Sequence, residues 1–300
     1  MDNLNSLQVF ARVAESRSFT AAAERLGLTP SAVSKSISRL EAELGVRLLH
    51  RSTRLVSLTA EGTNFFDRCR HILAEIDDAT RALSSSNQLP QGRLRLQMPV
   101  GFGRQVIAPA LLRFTAQNPG LSVDVELSDR VVDLAYEGID VAIHIGPLLD
   151  SRLVARHLCN LSFAAYASPA YLARHGEPRT PEELDQHHCL AYMFPMTGNY
   201  RPWQFKKDGR TFSMTMSGGL NMNNAESLLE AAVAGAGITM ISNFIAAEAL
   251  RSGRLKRILT DYVAKGPEVH AVYLPGRHMS AKVRTFIDFL VELVAGFEQE

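Results

Sequence analysis

The chain has 300 residues, 46% hydrophobic and 21% charged, with a net charge of +1. That length suits about two domains, and the balanced charge excludes an indiscriminate polyanion binder. Cys69, Cys159 and Cys189 are too few and too scattered for a disulfide framework, which points to a reducing cytoplasm. No apolar run reaches the ~18 residues of a membrane span, and the start MDNLNSLQVF lacks the basic region of a secretory signal.

The first informative stretch is Ser18 to Thr59. Gly27 stops one short helix, because glycine accepts the left-handed turn at a C-terminus. Thr29 caps the next, and Pro30 stands at its first position, where a missing N–H costs nothing. Val33, Ile37, Leu40 and Leu44 then follow the 3, 4 spacing of a buried stripe. Ser31, Ser34, Lys35 and Ser38 fall on the opposite side, with acid only later, at Glu41 and Glu43. Such a face of small hydroxyls and one cation can enter a major groove and donate to base edges. Pro30 or Ala32 can meet thymine methyls there. A plain helical hairpin with a serine-rich solvated face is the competing reading of this stretch alone. The sequel lowers it: Leu48, Leu49, Leu55, Val56 and Leu58 flank Ser52-Thr53 as a short hairpin. Its tip carries Arg51 and Arg54, placed to grip phosphates as a wing does. Residues 1–58 hold eight bases against five acids, net +3, and the remainder of the chain is −2.

This segment resembles the winged helix-turn-helix of LysR-type transcriptional regulators. The matching residues include Phe10, Ala14, Ser18, Phe19, Ala22, Ala23, Leu26, Ser31 to Ser34, Ile37, Leu40, Glu41, Leu44, Gly45, Leu48, Arg51, Leu58, Thr59 and Gly62. The resemblance implies that the helix from Thr29 enters the major groove and that the hairpin touches the backbone and minor groove. It places DNA contacts at Thr29, Pro30, Ser31, Ala32, Ser34, Lys35, Ser38, Arg51 and Arg54. The family often has glutamine in this helix. Thr29 and Lys35 stand at the corresponding positions here, so a lysine-to-guanine contact replaces some adenine reading.

A long helix follows. Phe66, Cys69, Leu73, Ile76, Thr80 and Leu83 follow a 3, 4 spacing, with Phe65, Ile72 and Ala79 as a second row seven apart, as in a helix packed along another helix. Residues 60–87 are read as the linker and dimerisation helix, which is also its role in the family. Ser84 to Gly92, SSSNQLPQG, is a polar break. Beyond it strands and helices alternate: strands at Leu94–Met98, Val123–Leu127 and Ile139–Ile145, with helices between them. This βαβαβ order predicts a parallel sheet with helices on both faces. Further units follow at Leu161–Ala167, Glu226–Ala234, Ile238–Ile241, Asn243–Leu250, Val269–Leu274 and Ala281–Phe297.

That order resembles the family's effector domain, which is similar to a type 2 periplasmic binding protein. The landmarks are Glu137–Gly146, Ala234–Ile238 and Pro275–His278. The expected architecture is therefore α/β: a winged helix-turn-helix over 1–59, a linker helix over 60–87, and a two-subdomain effector domain over 91–300. Subdomain I takes about 91–160 and 266–300, and subdomain II about 161–265. The family usually has arginine where this chain has His144, a departure that bears on the ligand or adds pH sensitivity.

Gly101-Phe-Gly103 ends a strand and opens a helix, where free N–H groups favour an anion. It lacks the third glycine and later acid of a dinucleotide fingerprint. A small effector carrying a carboxylate or similar group is expected, near Val100, Phe102, Gly103, His144, Asn199 and Asn221. His187-His188-Cys189 has no partner cluster with metal-ligand spacing, and no catalytic spacing stands out. The reading is a cytoplasmic regulator without cofactor or metal. It binds operator DNA as a homodimer or homotetramer. An α/β enzyme or a solute-binding protein with a helical appendage is the alternative.

Overall fold

The computed structural model describes residues 2–51, 56–84, 89–148, 152–275 and 279–297. The chain divides into two compact units, residues 1–88 with 135–138 and residues 89–134 with 139–300.

The first unit opens with three helices: α1 (Asp2–Ser16), α2 (Phe19–Leu26) and α3 (Pro30–Leu44). Ser18 caps α2 by accepting the Ala21 N–H, and Thr29 caps α3 by accepting that of Ala32 at 3.2 Å. Gly27 and Gly45 end the two helices at φ +65° and +70°, a conformation other residues adopt only with strain. Strands β1 (Leu49–Arg51) and β2 (Val56–Leu58) pair antiparallel. Helix α4 (Ala60–Ser84) follows. Phe10, Val13, Val33, Ile37, Leu40, Leu48 and Cys69 form the core. Leu44 differs from its predicted burial: it is 43% exposed, because α3 ends there at Gly45 and the stripe loses its cover. The stripe of α4 also divides. Phe65 and Phe66 pack on Phe10, with ring centroids 5.4 and 6.4 Å away, and Cys69 is buried with them. Its first turns thus complete the winged-helix core, whereas Ile72 further along stays exposed.

The second unit runs β3 (Gly92–Met98), α5 (Val100–Phe102), a π-helical turn (Gly103–Ile107) and α6 (Ala108–Gln117). It continues through β4 (Leu121–Leu127), β5 (Val141–Ile145), β6 (Val154–Ala167) and α8 (Pro169–His175), while α7 (Leu134–Glu137), between β4 and β5 in the chain, is grouped with the first unit from Ala135 on. Then come β7 (Cys189–Tyr192), β8 (Trp203–Lys207), β9 (Arg210–Met214), β10 (Asn221–Met222), α9 (Ala225–Val233) and β11 (Ile238–Ser242). The unit closes with α10 (Asn243–Arg251), β12 (Lys256–Ile258), β13 (Lys265–Tyr273) and α11 (Ala281–Val294). A nine-stranded sheet has the order β10-β7-β11-β6-β13-β5-β3-β4, with β12 also on β6.

The βαβαβ stretch is parallel as expected, and the sheet as a whole is mixed. β3 is parallel to β4 and β5, but β13 runs antiparallel to both β5 and β6. The reason lies in β6 and β13, which cross between the two halves in opposite directions. β6 pairs with β13 over Val154–Ser162, then with β11 over Phe163–Tyr166. At the crossing, a Cβ on Gly266 would overlap the Leu161 carbonyl oxygen. One core lies around Leu94, Leu96, Phe114, Val269 and Phe286, and two more flank the other half of the sheet. All three cysteines are free and buried. Burial pushes the Cys69 and Cys189 thiols up to about 12, so both stay protonated at neutral pH.

Candidate nucleic-acid interface and effector cleft

In the first unit Val33, Ile37 and Leu40 fasten α3 to the core and turn its other face outward. Thr29, Pro30, Ser31, Ala32, Lys35 and Ser38 are exposed, and Ser34 is half-exposed. The Thr29 hydroxyl is engaged as the cap and lies 3.1 Å from the Ser31 hydroxyl. It preorganises the helix start, and Lys35 is left to reach outward. Arg39 is paired with Glu43 at 3.0 Å on the same helix. Arg51 ends β1, while Arg54 lies outside the described residues. The wing is tied to α3 by Glu41, whose carboxylate accepts the Leu48 and Leu49 N–H groups at 2.9 and 3.1 Å.

In the second unit the two halves of the sheet meet along the crossing strands. Phe102 packs edge-on against Phe244, 5.8 Å between centroids, and against Phe297 at 5.9 Å. It is 1% exposed, so this ring belongs to the core and offers no face to a ligand. Gly103 is buried too, and a Cβ there would overlap Leu127 and Met98. The glycine is required by packing, which corrects the expectation of a ligand cradle. The Val100 N–H is taken by the Asp129 carboxylate at 3.0 Å. Burial raises the Asp129 pKa, the Val100 N–H opposes that, and Glu226 adds to it. An acid of the protein itself thus occupies the helix start where an anionic effector was expected.

Arg104 pairs with Glu226 on α9 at 2.7 Å, and the Gln105 amide donates to the same carboxylate at 3.0 Å. These contacts strap one half to the other. His144 Nε2 lies 3.0 Å from the Pro147 carbonyl and opposite His270 on β13. Asn199 is exposed on a turn, with its N–H on Thr197 Oγ1. The Asn221 amide is spent on Gly218. Of the six expected effector residues, Val100 is the one bonded to Asp129.

The sequence reading missed the groups that line the other side. Arg201 lies with its guanidinium carbon 4.5 Å from the Phe163 ring centroid and 4.8 Å from that of Tyr192. Burial pulls its pKa down to about 10, with Tyr192 opposing the shift. Burial and nearby Asp129 push the Tyr192 phenol up to about 12, so it remains a neutral donor. Residue type could have flagged Arg201, a lone cation between Tyr200 and the apolar Trp203. No local spacing connects it to Asp129.

Comparison with known proteins decides the family. Residues 4–63 match the bacterial regulatory helix-turn-helix protein model of the lysR family, and residues 87–295 match the LysR substrate binding domain. The chain belongs to the LysR family of transcriptional regulators. It is a DNA-binding regulator with an effector-binding domain and not an enzyme.

A transcriptional repressor of Pseudomonas aeruginosa is 37% identical over 295 residues, 98% of this chain and 93% of that protein. The regulator DmlR of Escherichia coli is 37% identical over 292 residues, 97% of this chain and 94% of the relative. Among solved structures, full-length CrgA of Neisseria meningitidis superposes with a TM-score of 0.61 at 34% identity, covering 96% and 97% of the two chains. Full-length AphB of Vibrio cholerae also gives 0.61, at 28% identity, covering 96% and 98%. LysR regulators bind operator DNA and small-molecule effectors and act as oligomers. In this LysR-type regulator no described helix is long and apolar enough to cross a membrane.

Proposed function

We propose that this regulator reads its operator through the outward face of α3 and the wing, as a cytoplasmic homodimer or homotetramer. The observation that carries the reading is Lys35, exposed on the serine-bearing face with no protein partner among the described residues. Thr29, Pro30, Ser31, Ala32, Ser34 and Ser38 surround it. Arg51 and Arg54 are assigned to the backbone. Binding across salt concentrations tests these roles. Lys35→Ala should change base preference, since one lost specific contact is worth about 1–3 kcal/mol. Arg51→Ala should weaken all sequences alike and reduce the salt slope by roughly one unit. Wild-type affinity and slope in both variants would remove α3 and the wing from the interface.

Helix α4 is proposed to hold the dimer. Its first turns complete the winged-helix core, and Ile72 is left 45% exposed, a large apolar side chain with room for a partner. Ile72→Glu would place a charge in that seam, with several kcal/mol of desolvation opposing association. Sedimentation should show weakened association with the winged helix intact. An unchanged oligomer would place the seam elsewhere.

The effector is assigned to the cleft bordered by Val100, Asp129, Tyr192, Arg201 and Glu226. The support is a concentration of polar groups between two halves joined by crossing strands. A ligand that touches both halves binds one closure state better than another, which is the requirement for a regulatory signal.

A further inference from the structure

We propose that Arg201 is the anion anchor of this cleft and that the effector is a small organic carboxylate. The proposal rests on the cleft reading above and names the ligand class. Arg201 lies between β7 and β8, fixed by its own N–H on the Tyr192 carbonyl at 2.8 Å. One guanidinium nitrogen, Nη2, donates to the Met240 carbonyl at 2.9 Å. No carboxylate of the described residues pairs with it, and no other side-chain N–H of Arg201 has a protein acceptor among them. A guanidinium presents five N–H donors in a planar fork, so most of that fork is unspent.

The setting is costly for a cation. Aromatic rings flank it, and taking a charge out of water without a counter-ion is unfavourable. Every other cation near the cleft whose partner is seen has an acid: Arg104 is on Glu226. Arg201 has ring faces, which attract a cation without neutralising it. An incoming carboxylate supplies the missing charge with matched two-point geometry.

The surroundings narrow the ligand further. The Arg201 guanidinium lies over the Tyr192 ring, and the Tyr192 phenol feels the negative charge of Asp129. A molecule with its carboxylate on Arg201 can present a hydroxyl or ammonium to Asp129. A phosphate dianion would bring two negative charges to the one guanidinium of Arg201, with Asp129 adding repulsion. Phe163 and Tyr192 favour a flat or apolar body between the ends.

Trp203 provides the readout. It is the chain's one tryptophan, two residues from Arg201, and is buried. Full-length protein would be titrated with benzoate, phenylacetate and lactate, each against its amide, and with inorganic phosphate. Tryptophan emission and calorimetry would follow binding. At least one carboxylate should bind the wild type, with its amide about tenfold weaker or worse. Arg201→Met should lose about tenfold or more for the acid and leave the amide unchanged. Arg201→Lys should fall between, because ammonium keeps the charge without the fork. Melting and operator binding would check that both variants fold, and Arg201→Lys decides the matter if Arg201→Met does not. Wild-type protein that takes none of the acids, or prefers phosphate, overturns the ligand class. Wild-type affinity in Arg201→Met overturns the anchor. In that event, loss of binding in Tyr192→Leu would keep the cleft, and binding unaltered in both variants would remove the cleft reading itself.

Discussion

Lys282→Met should destabilise the effector unit by about 3–5 kcal/mol, because it strands a buried carboxylate. Lys282 and Asp140 have side chains only 7% and 8% exposed, with Nζ 2.9 Å from Oδ1. The same ammonium donates to the Arg93 carbonyl at 2.9 Å. The other Asp140 oxygen accepts the Arg95 N–H at 2.8 Å. The pair therefore joins the start of α11 to β3 and to the entry of β5. For a unit of this size each kcal/mol moves the midpoint by about 2–4 °C, so calorimetry should show a drop of about 10 °C. Lys282→Met with Asp140→Leu should recover part of the loss, since apolar replacement of both partners removes the stranded charge. Recovery stays incomplete because the Arg95 N–H then lacks its acceptor, at about 1–3 kcal/mol. A single variant that melts like the wild type would show that water reaches Asp140 and that this ion pair does not hold the sheet.

Gly62→Ala should abolish operator binding without touching any DNA-facing residue. Alanine in place of glycine inside a helix ordinarily stabilises by about 0.5–1 kcal/mol. At Gly62 the sign reverses, because a Cβ would overlap the Leu48 carbonyl oxygen, which is backbone and cannot swing aside. Leu48 is held in turn: its carbonyl accepts the Thr59 N–H at 3.0 Å, and Thr59 Oγ1 accepts the Gly62 N–H at 2.8 Å. Thr59 Oγ1 also donates to the Arg47 carbonyl at 2.8 Å. This corner locks α4 to the wing. Overpacking against fixed backbone should cost about 2–3 kcal/mol, a large share of what a small domain has. Gel-shift titration and a melting curve check it together. Wild-type operator affinity with an unshifted melt would mean the corner yields at little cost.

Part of the molecule was legible from local chemistry. Ser18, Gly27, Thr29, Pro30 and Gly45 act within a few residues of themselves, so caps and turns mark helix ends directly. Val33, Ile37 and Leu40 repeat at helical spacing, and their burial leaves Lys35 and Ser38 outward. The β8–β9 hairpin carried an equally local signal that went unused. Asp208-Gly209 has φ of +49° and +78°, as an Asp-Gly turn between two strands adopts.

The sequence by itself determined the winged-helix face, the α/β alternation and the resemblance to LysR regulators, because these rest on neighbours in the chain. Only the tertiary structure decided the antiparallel crossing strands, since strand direction depends on where a chain returns and not on its local pattern. It likewise placed Phe102 and Gly103 in the core, because a glycine before a helix looks the same whether its open side meets a ligand or Met98 and Leu127. The pairing of Lys282 with Asp140, and the influence of Asp129 on Tyr192, join residues tens of positions apart or more. Nothing in the spacing of such residues reports their distance in space; the fold sets it.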